Sequence, residues 1–389
     1  MKSSFLYSFA TCGFKRTGKP DLAIIYSPIP CIYVGVFTKN QVRAACVDEN
    51  KNLLNKKQKI KAIVVNSGNA NACTGKKGIN AVKQTKEIAA KLLKIKPNEV
   101  LVASTGVIGV HLDIEKMKKG LVHAVPKLNT SNFKNAARAI LTTDRYLKAI
   151  KKKTKDFSIS GFTKGAGMIH PNMATMLCYF MTDINAPQSM LQSALKSAVE
   201  NSFNLISVDC DISTNDMVIL LSNCQSKKKI VKNNDPVFLN FQKILNEQCL
   251  KLAKEIVADG EGANKVITVH VNGVKSKKDA NEIARSIASS NLFKCAIFGS
   301  DPNWGRAAAR IGATNVNVNQ NKISISINKT LVFKNGTPVE FNKSKLNREI
   351  KRSKEVMLTI NLKLGKESGM AFGCDLSFDY VKLNSAYFT

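Results

Sequence analysis

The stretch from Lys164 to Met176, KGAGMIHPNMATM, leads a glycine-rich loop and an Asn-Met turn signal into the apolar run TMLCYFMTD. A polar residue, Thr175, stands where the loop becomes a strand. A threonine hydroxyl is a poor nucleophile until a base is placed beside it, and a threonine at a free chain end carries its own base in the α-amine. The ordinary pKa of that amine, about 7.7–8.0, leaves a useful neutral fraction near physiological pH. No catalytic His or Lys is then needed. An internal threonine acquires the amine only when the preceding peptide bond breaks, and the small Ala174 leaves its hydroxyl room to attack the Ala174 carbonyl.

Other polar residues invite chemical readings and mostly receive structural ones. His170 precedes the threonine, but a nucleophile with its own amine does not call on it, and it reads as a loop packing residue. Trp304, in DPNWGR ahead of an Ala-rich helix, reads as an anchor for packing. Asp209, Asp211, Asn215 and Asp216, in SVDCDISTNDM, crowd oxygens together but lack the glycine and distal glutamate of a calcium loop, so a hydrogen-bonded turn is expected. Four His and no CxxC pair offer no zinc-ligand spacing.

Further motifs follow in order along the chain: DLAIIYS at Asp21, GVFTKNQVRAA at Gly35, NSGNANACTG at Asn66, ASTGVIG at Ala103, VADGEGANK at Val257, DPNWGRAAARIG at Asp301 and CDLSFDYVKLNSAYFT at Cys374. With KGAGMIHPNMATM, this series resembles the ornithine acetyltransferase family, the bifunctional glutamate N-acetyltransferases, over essentially the whole chain. The resemblance implies self-cleavage between Ala174 and Thr175, giving an α-chain of 1–174 and a β-chain of 175–389 that stay one folded unit. It implies Thr175 as nucleophile, Thr105 and Gly106 as the oxyanion hole, and substrate contacts from Thr142, Lys164, Thr175, Glu261, Asn384 and Thr389. Acetyl would pass from N-acetylornithine to glutamate through an acetyl-enzyme. No metal or organic cofactor is implied, acetyl-CoA is left open as a co-substrate, and two α/β pairs would form a heterotetramer. An N-terminal-nucleophile aminopeptidase or amidase is the alternative, since water can resolve the same acyl-enzyme. Four positions depart from the family pattern: Arg145 where Thr is usual, Cys210 and Ile212 where Gly and Thr are usual, and Asn264 where Thr is usual.

These residues need a scaffold. Apolar β-branched runs at Leu22–Tyr26, Ile60–Asn66, Val100–Ser104, Thr175–Asp183, Met217–Ser222, Val266–Val271 and Val356–Leu362 read as strands. Helical periodicity marks Gly78–Lys94, Phe133–Leu141, Pro187–Ser202, Pro236–Val257 and Ala280–Ser289. The alternation predicts an α/β protein of layered sheets covered by helices. Its net charge of +31 suggests a nucleic-acid footprint, yet only nine of the 59 basic residues are Arg, the better phosphate fork, so a lysine-rich solvated surface with no specific nucleic acid is expected. No apolar stretch approaches a membrane span or signal peptide, so a cytoplasmic location is expected. Ten unpaired-looking cysteines fit a reducing compartment, with Cys46, Cys178, Cys224 and Cys295 expected inside.

Overall fold

In the computed structural model, the described residues are 5–170 and 176–386. Ala174, Thr175 and Thr389 lie outside them. Among the described residues, the strands β1 (Leu6–Ala10), β2 (Leu22–Phe37), β3 (Ile60–Asn69), β4 (Val100–Val107), β5 (Lys148–Lys153), β6 (Ser158–Lys164), β7 (Leu177–Thr182) and β8 (Met217–Ser222) join through one ladder. Its order is β4-β3-β2-β8-β7-β6-β5, with β1 on the free side of β2. β3/β4 and β7/β8 are parallel, whereas the other pairs are antiparallel.

Strand β2 divides this ladder into two leaves. Its first half pairs with β1 and β3, its second half with β8, and the register breaks between Tyr26 and Cys31, where Pro28 and Pro30 remove two ladder donors. One core lies between the leaves and takes Ile25, Ile63, Val65 and Leu101 from the first with Tyr179, Met181, Ile219 and Leu221 from the second. Side chains of alternate parity face outward. On the first leaf, Ile24, Val64 and Val100 pack under α2 (Gly75–Leu93) and α3 (Ile114–Ala124); on the second, Cys178, Phe180, Val218 and Leu220 pack under α5 (Gln188–Glu200) and α6 (Pro236–Ala258). Helices α1 (Ala45–Asn55) and α4 (Phe133–Ala139) contribute to the middle core. The expected layered sheets under helices are therefore present, and strands buried on both faces explain why β7 and β8 read as unbroken apolar runs.

A second sheet has the order β12-β11-β10-β13-β9-β14, formed by β9 (Val266–Val274), β10 (Ser324–Ile327), β11 (Thr330–Lys334), β12 (Thr337–Pro338), β13 (Glu355–Asn361) and β14 (Glu367–Cys374). Its own core includes residues of α7 (Lys277–Ala288), α8 (Asn291–Phe298), α9 (Trp304–Gly312) and α10 (Lys343–Arg352). Trp304 stacks on Phe333 with ring centroids 4.7 Å apart, the anchor role expected of it. The chain then returns through α11 (Phe378–Ser385) toward the first sheet.

Cys46 and Cys178 are buried as expected, but Cys224 is only partly buried and Cys295 is exposed. On α8 the inward positions fall to Phe293, Lys294, Ala296 and Ile297, so helical phase turns Cys295 outward. No helix among the described residues is long and apolar enough to cross a membrane.

Candidate active site

Thr105, Gly106, Thr142, Lys164, Glu261 and Asn384 line a single pocket of about 160 Å³, with Asn215, Met168, Gly167 and Thr143 among the other residues of its wall. These positions are as far as 279 residues apart in sequence, and four separate devices bring them together.

The end of β4 supplies Thr105 and Gly106. Gly106 has φ +131° and lies opposite Gly68 of β3, where a Cβ would come within 2.3 Å of the Gly68 carbonyl carbon. Only glycine permits so close an approach. Behind the strand end, Ser104 Oγ donates to Asn66 Oδ1 at 2.7 Å, Asn66 Nδ2 donates to the Asn69 carbonyl at 2.8 Å, and Asn215 Nδ2 donates to the carbonyls of Ala70 and Ser104 at 2.7 and 2.8 Å. These bonds hold the strand end and the turn after it in one conformation.

The end of β6 supplies Lys164, which is buried and donates to Thr142 Oγ1 at 3.1 Å. That contact selects Thr142 over its neighbour Thr143 as the lysine's partner, although both line the pocket. Burial lowers the Lys164 pKa, against the opposing pull of Asp144, Asp216 and Glu261. A solvated surface lysine is excluded.

Thr142 is positioned by a buried ionic cluster that its sequence does not advertise. Asp144 accepts from the Thr142 and Gly165 amides at 3.1 and 2.7 Å and from Lys148 Nζ at 2.7 Å; Lys148 also bonds Asp259. The side chains of Asp144, Lys148 and Asp259 are fully buried. Burial acts to raise the Asp144 pKa, but Lys148, Lys164 and the Gly165 amide hold it below the ordinary value. Arg145, the departure from the family pattern, joins this cluster: its Nε donates to Asp259 at 3.1 Å and its Nη2 to the Ala258 carbonyl at 2.7 Å. The arginine thus ties the Thr142 turn to the end of α6.

Glu261 follows α6, and its amide donates to the Ala166 carbonyl at 2.8 Å. Gly167 is the residue that admits it, since a Cβ there would lie 2.4 Å from Glu261 Oε2. Asn384 Nδ2, on α11, donates to that same oxygen at 3.0 Å. The C-terminal helix is therefore tied into the site, as the motif at Cys374 implied.

Asp209 fastens the loop between Lys164 and the next strand by accepting from the Met168 and Ile169 amides at 2.6 and 2.7 Å. Burial raises its pKa to about 6 despite those donors and the Asp211 amide. Asp209 and Asp211 form the expected hydrogen-bonded turn, the Asp211 amide donating to Asp209 Oδ1 at 3.3 Å, and one departure lies within it. Cys210 has φ +70°, a conformation that suits the glycine usual there, and its Sγ donates to the Ser289 carbonyl at 3.1 Å. Ile212 contributes its carbonyl to Asn40 Nδ2 at 2.9 Å, a backbone group that any side chain leaves available, whereas Asn264 donates its amide to Asp375 Oδ1 at 2.8 Å and its Nδ2 to the Gly262 carbonyl at 3.2 Å. His170 lies away from the pocket, its Nδ1 3.2 Å from Ser207 Oγ, and burial lowers its pKa, with Arg285 adding to the effect. Its packing role is as expected.

The Asp144–Lys148–Asp259 cluster and Gly167 were not identified from the sequence as parts of the site. Asp144 and Lys148 are spaced as a helical ion pair, but the chain between them turns into β5 instead.

Comparison with known proteins places these features in context. The model of the ArgJ family matches residues 7–389. The arginine biosynthesis bifunctional protein ArgJ of Caldanaerobacter subterraneus is 42% identical over 397 residues, covering 100% of this chain and 98% of that protein. The corresponding protein ArgJ 1 of Clostridium acetobutylicum is 44% identical, covering 96% and 93%. A crystal structure of the Bacillus halodurans arginine biosynthesis bifunctional protein matches with 38% identity and a TM-score of 0.51, covering 53% of this chain and 96% of that one.

Proposed function

This chain belongs to the ArgJ family of arginine-biosynthesis enzymes, and on that premise we propose that Thr175 is the nucleophile of an acetyl transfer from N-acetylornithine to glutamate. The observation that carries this reading is the convergence of Thr105, Gly106, Thr142, Lys164, Glu261 and Asn384 on one pocket. Lys164, at the end of β6, pairs in register with Leu177, two residues beyond Thr175. The motifs that suggested these residues carry no information about their proximity, so their meeting supports the assignment independently.

In this scheme the Thr175 hydroxyl attacks the acetyl carbonyl while the α-amine of the same residue takes its proton. Donors at Thr105 and Gly106 stabilise the oxyanion, ornithine leaves, and the amine of glutamate takes the acetyl group from Thr175. Lys164 binds the substrate carboxylate, with Thr142 orienting the ammonium; a buried cation gains strongly from an anionic partner. Glu261, steadied by Asn384, receives the distal ammonium of ornithine, and Thr389, outside the described residues, is the remaining substrate contact that the resemblance implies. No metal or organic cofactor enters these steps, and acetyl-CoA is the further donor to be tried.

The amine requires a cut between Ala174 and Thr175. Strand β6 lies before that point and β7 after it, yet they pair over six residues, and β8 pairs with β2 in the same way. Fragments 1–174 and 175–389 therefore share one sheet and form one folded unit, which we take to assemble as a heterotetramer of two such pairs.

The test is denaturing mass analysis of the purified protein beside Thr175→Ala, followed by acetyl transfer with and without glutamate. Two fragments from the native chain, one intact variant and consumption of N-acetylornithine that depends on glutamate are expected. An uncut native chain refutes the mechanism, and consumption indifferent to glutamate assigns the site to an amidase.

A further inference from the structure

We propose that a second cavity, between α7 and α9, is a binding site for a small oxyanion, a phosphate or carboxylate group. The cavity has a volume of about 260 Å³ and shares no lining residue with the catalytic pocket. Helix α7 contributes Glu282, Arg285 and Ser286, α9 contributes Arg310, and His170 and Thr314 belong to the remaining wall. Two guanidiniums against one carboxylate leave the cavity with a net positive charge, which a bound anion balances.

The two arginines differ in what holds them. Arg310 is clamped across the helix pair, its Nη2 donating to Ser286 Oγ at 2.8 Å and its Nε to the Ser286 carbonyl at 3.2 Å. Arg285 is half-buried, yet its guanidinium has no hydrogen bond or ion pair to another described residue. Glu282, one turn before it, is engaged elsewhere and accepts the Asn315 amide at 3.1 Å. A guanidinium carries five N–H donors, and drawing a charge out of water is costly unless an opposite charge takes the place of the solvent. Burial accordingly lowers the Arg285 pKa, with Glu282 opposing. A planar fork with its donors unused, beside a second fork already fixed in place, suits the bidentate geometry of phosphate and carboxylate.

His170 supplies the site with a reporter. Its pKa is lowered by burial and then by Arg285, with Asp211 opposing, and Glu282 and Arg310 share its cavity. An anion held by Arg285 cancels part of that positive field and so raises the His170 pKa. His170 also belongs to the loop whose Met168 lines the catalytic pocket, so one short loop carries a wall of each cavity.

The test titrates the purified full-length protein with sodium phosphate, and separately with sodium succinate, by calorimetry at pH 7 and constant ionic strength. The native protein is compared with Arg285→Met, which removes a guanidinium that holds no other residue, with Arg310→Met, and with Lys351→Met as an equal change of charge elsewhere. Saturable binding of one anion per chain by the native protein and Lys351→Met, weakened at least about tenfold in both arginine variants, is expected. Whichever of the two anions binds more tightly identifies the ligand as a phosphate or a carboxylate. Proton NMR follows the four histidines in parallel, with His170 assigned by its loss in His170→Asn. The anion should raise the His170 midpoint in the native protein and leave it unmoved in Arg285→Met. Weak, unsaturated uptake that is equal in all these proteins is the response of a chain of net charge +31 to any anion, and it overturns the inference. Native affinity in Arg285→Met overturns it as well. So does loss of binding that accompanies a lowered melting temperature in Arg285→Met and that Arg285→Lys, which keeps the charge, fails to recover in part, since the arginine then serves only the fold.

Discussion

Gly167 leaves no room for a side chain beside Glu261, and this yields a sharp expectation for Gly167→Ala. The added methyl would lie 2.4 Å from Oε2, 2.5 Å from Cδ and 2.6 Å from Oε1 of Glu261, so the whole carboxylate has to retreat by about 1 Å to reach ordinary contact. Gly167 does not occupy the positive-φ region, and the backbone accepts alanine there. The perturbation is thus local: the 3.0 Å bond from Asn384 is broken and Glu261 leaves the position assigned to the substrate ammonium. A hydrogen bond to a charged group contributes about 1.5–3 kcal/mol, which corresponds to about a 10- to 150-fold loss. Steady-state kinetics should show kcat/KM for N-acetylornithine reduced by that factor, while mass analysis shows the chain cut as in the native protein. A kcat/KM within about twofold of native would refute the assignment of Glu261 to the ammonium, because a displacement of this size cannot leave a charge-assisted contact unchanged.

Other expectations concern the scaffold. Gly106→Ala should lower kcat by about 10²–10³ through loss of the oxyanion donor geometry, with a lower melting temperature as the ends of β3 and β4 are forced apart. Lys148→Met leaves Asp144 and Asp259 buried without their shared cation and should cost about 3–5 kcal/mol in denaturant unfolding. For Asp209 the folded pKa, about 6, exceeds the ordinary 3.8, so the folded state binds the proton more tightly than the unfolded state. Its contribution to stability is greatest at low pH and is lost as pH rises from about 4 to about 6. The native melting temperature should therefore fall relative to that of Asp209→Asn across that window and run parallel to it above; parallel curves throughout would refute the shift.

Periodicity revealed much of the fold because most strands and helices bury whole faces. Met217–Ser222 has the bounds expected from its apolar run, and α5 buries Met190, Leu191, Ala194, Leu195, Ala198 and Val199, the stripe read from the sequence. β5, KAIKKK, escaped notice because its tail of Lys151–Lys153 is exposed, leaving only Lys148 and Ile150 buried. β2 is longer than its apolar start suggested because Pro28 and Pro30 look like a terminus but instead form the bend that makes two leaves from one strand. The site residues could be named from motifs, but their supports could not. A buried lysine between two aspartates has the same one-letter code as a surface lysine, and in a chain with 59 basic residues the code alone cannot separate the two.

The pairing of β6 with β7 also gives the protein a history. A continuous chain assembles this sheet by an intramolecular search, for which the local concentration of one half around the other is set by a short connection. If the connection is cut as proposed, the same ladder joins two molecules, and a denatured sample has to recover it by bimolecular encounter. First folding should be independent of protein concentration, and refolding of the processed enzyme should depend on it. On the proposed cleavage, the reaction that creates the nucleophile would discard the route by which the fold was reached.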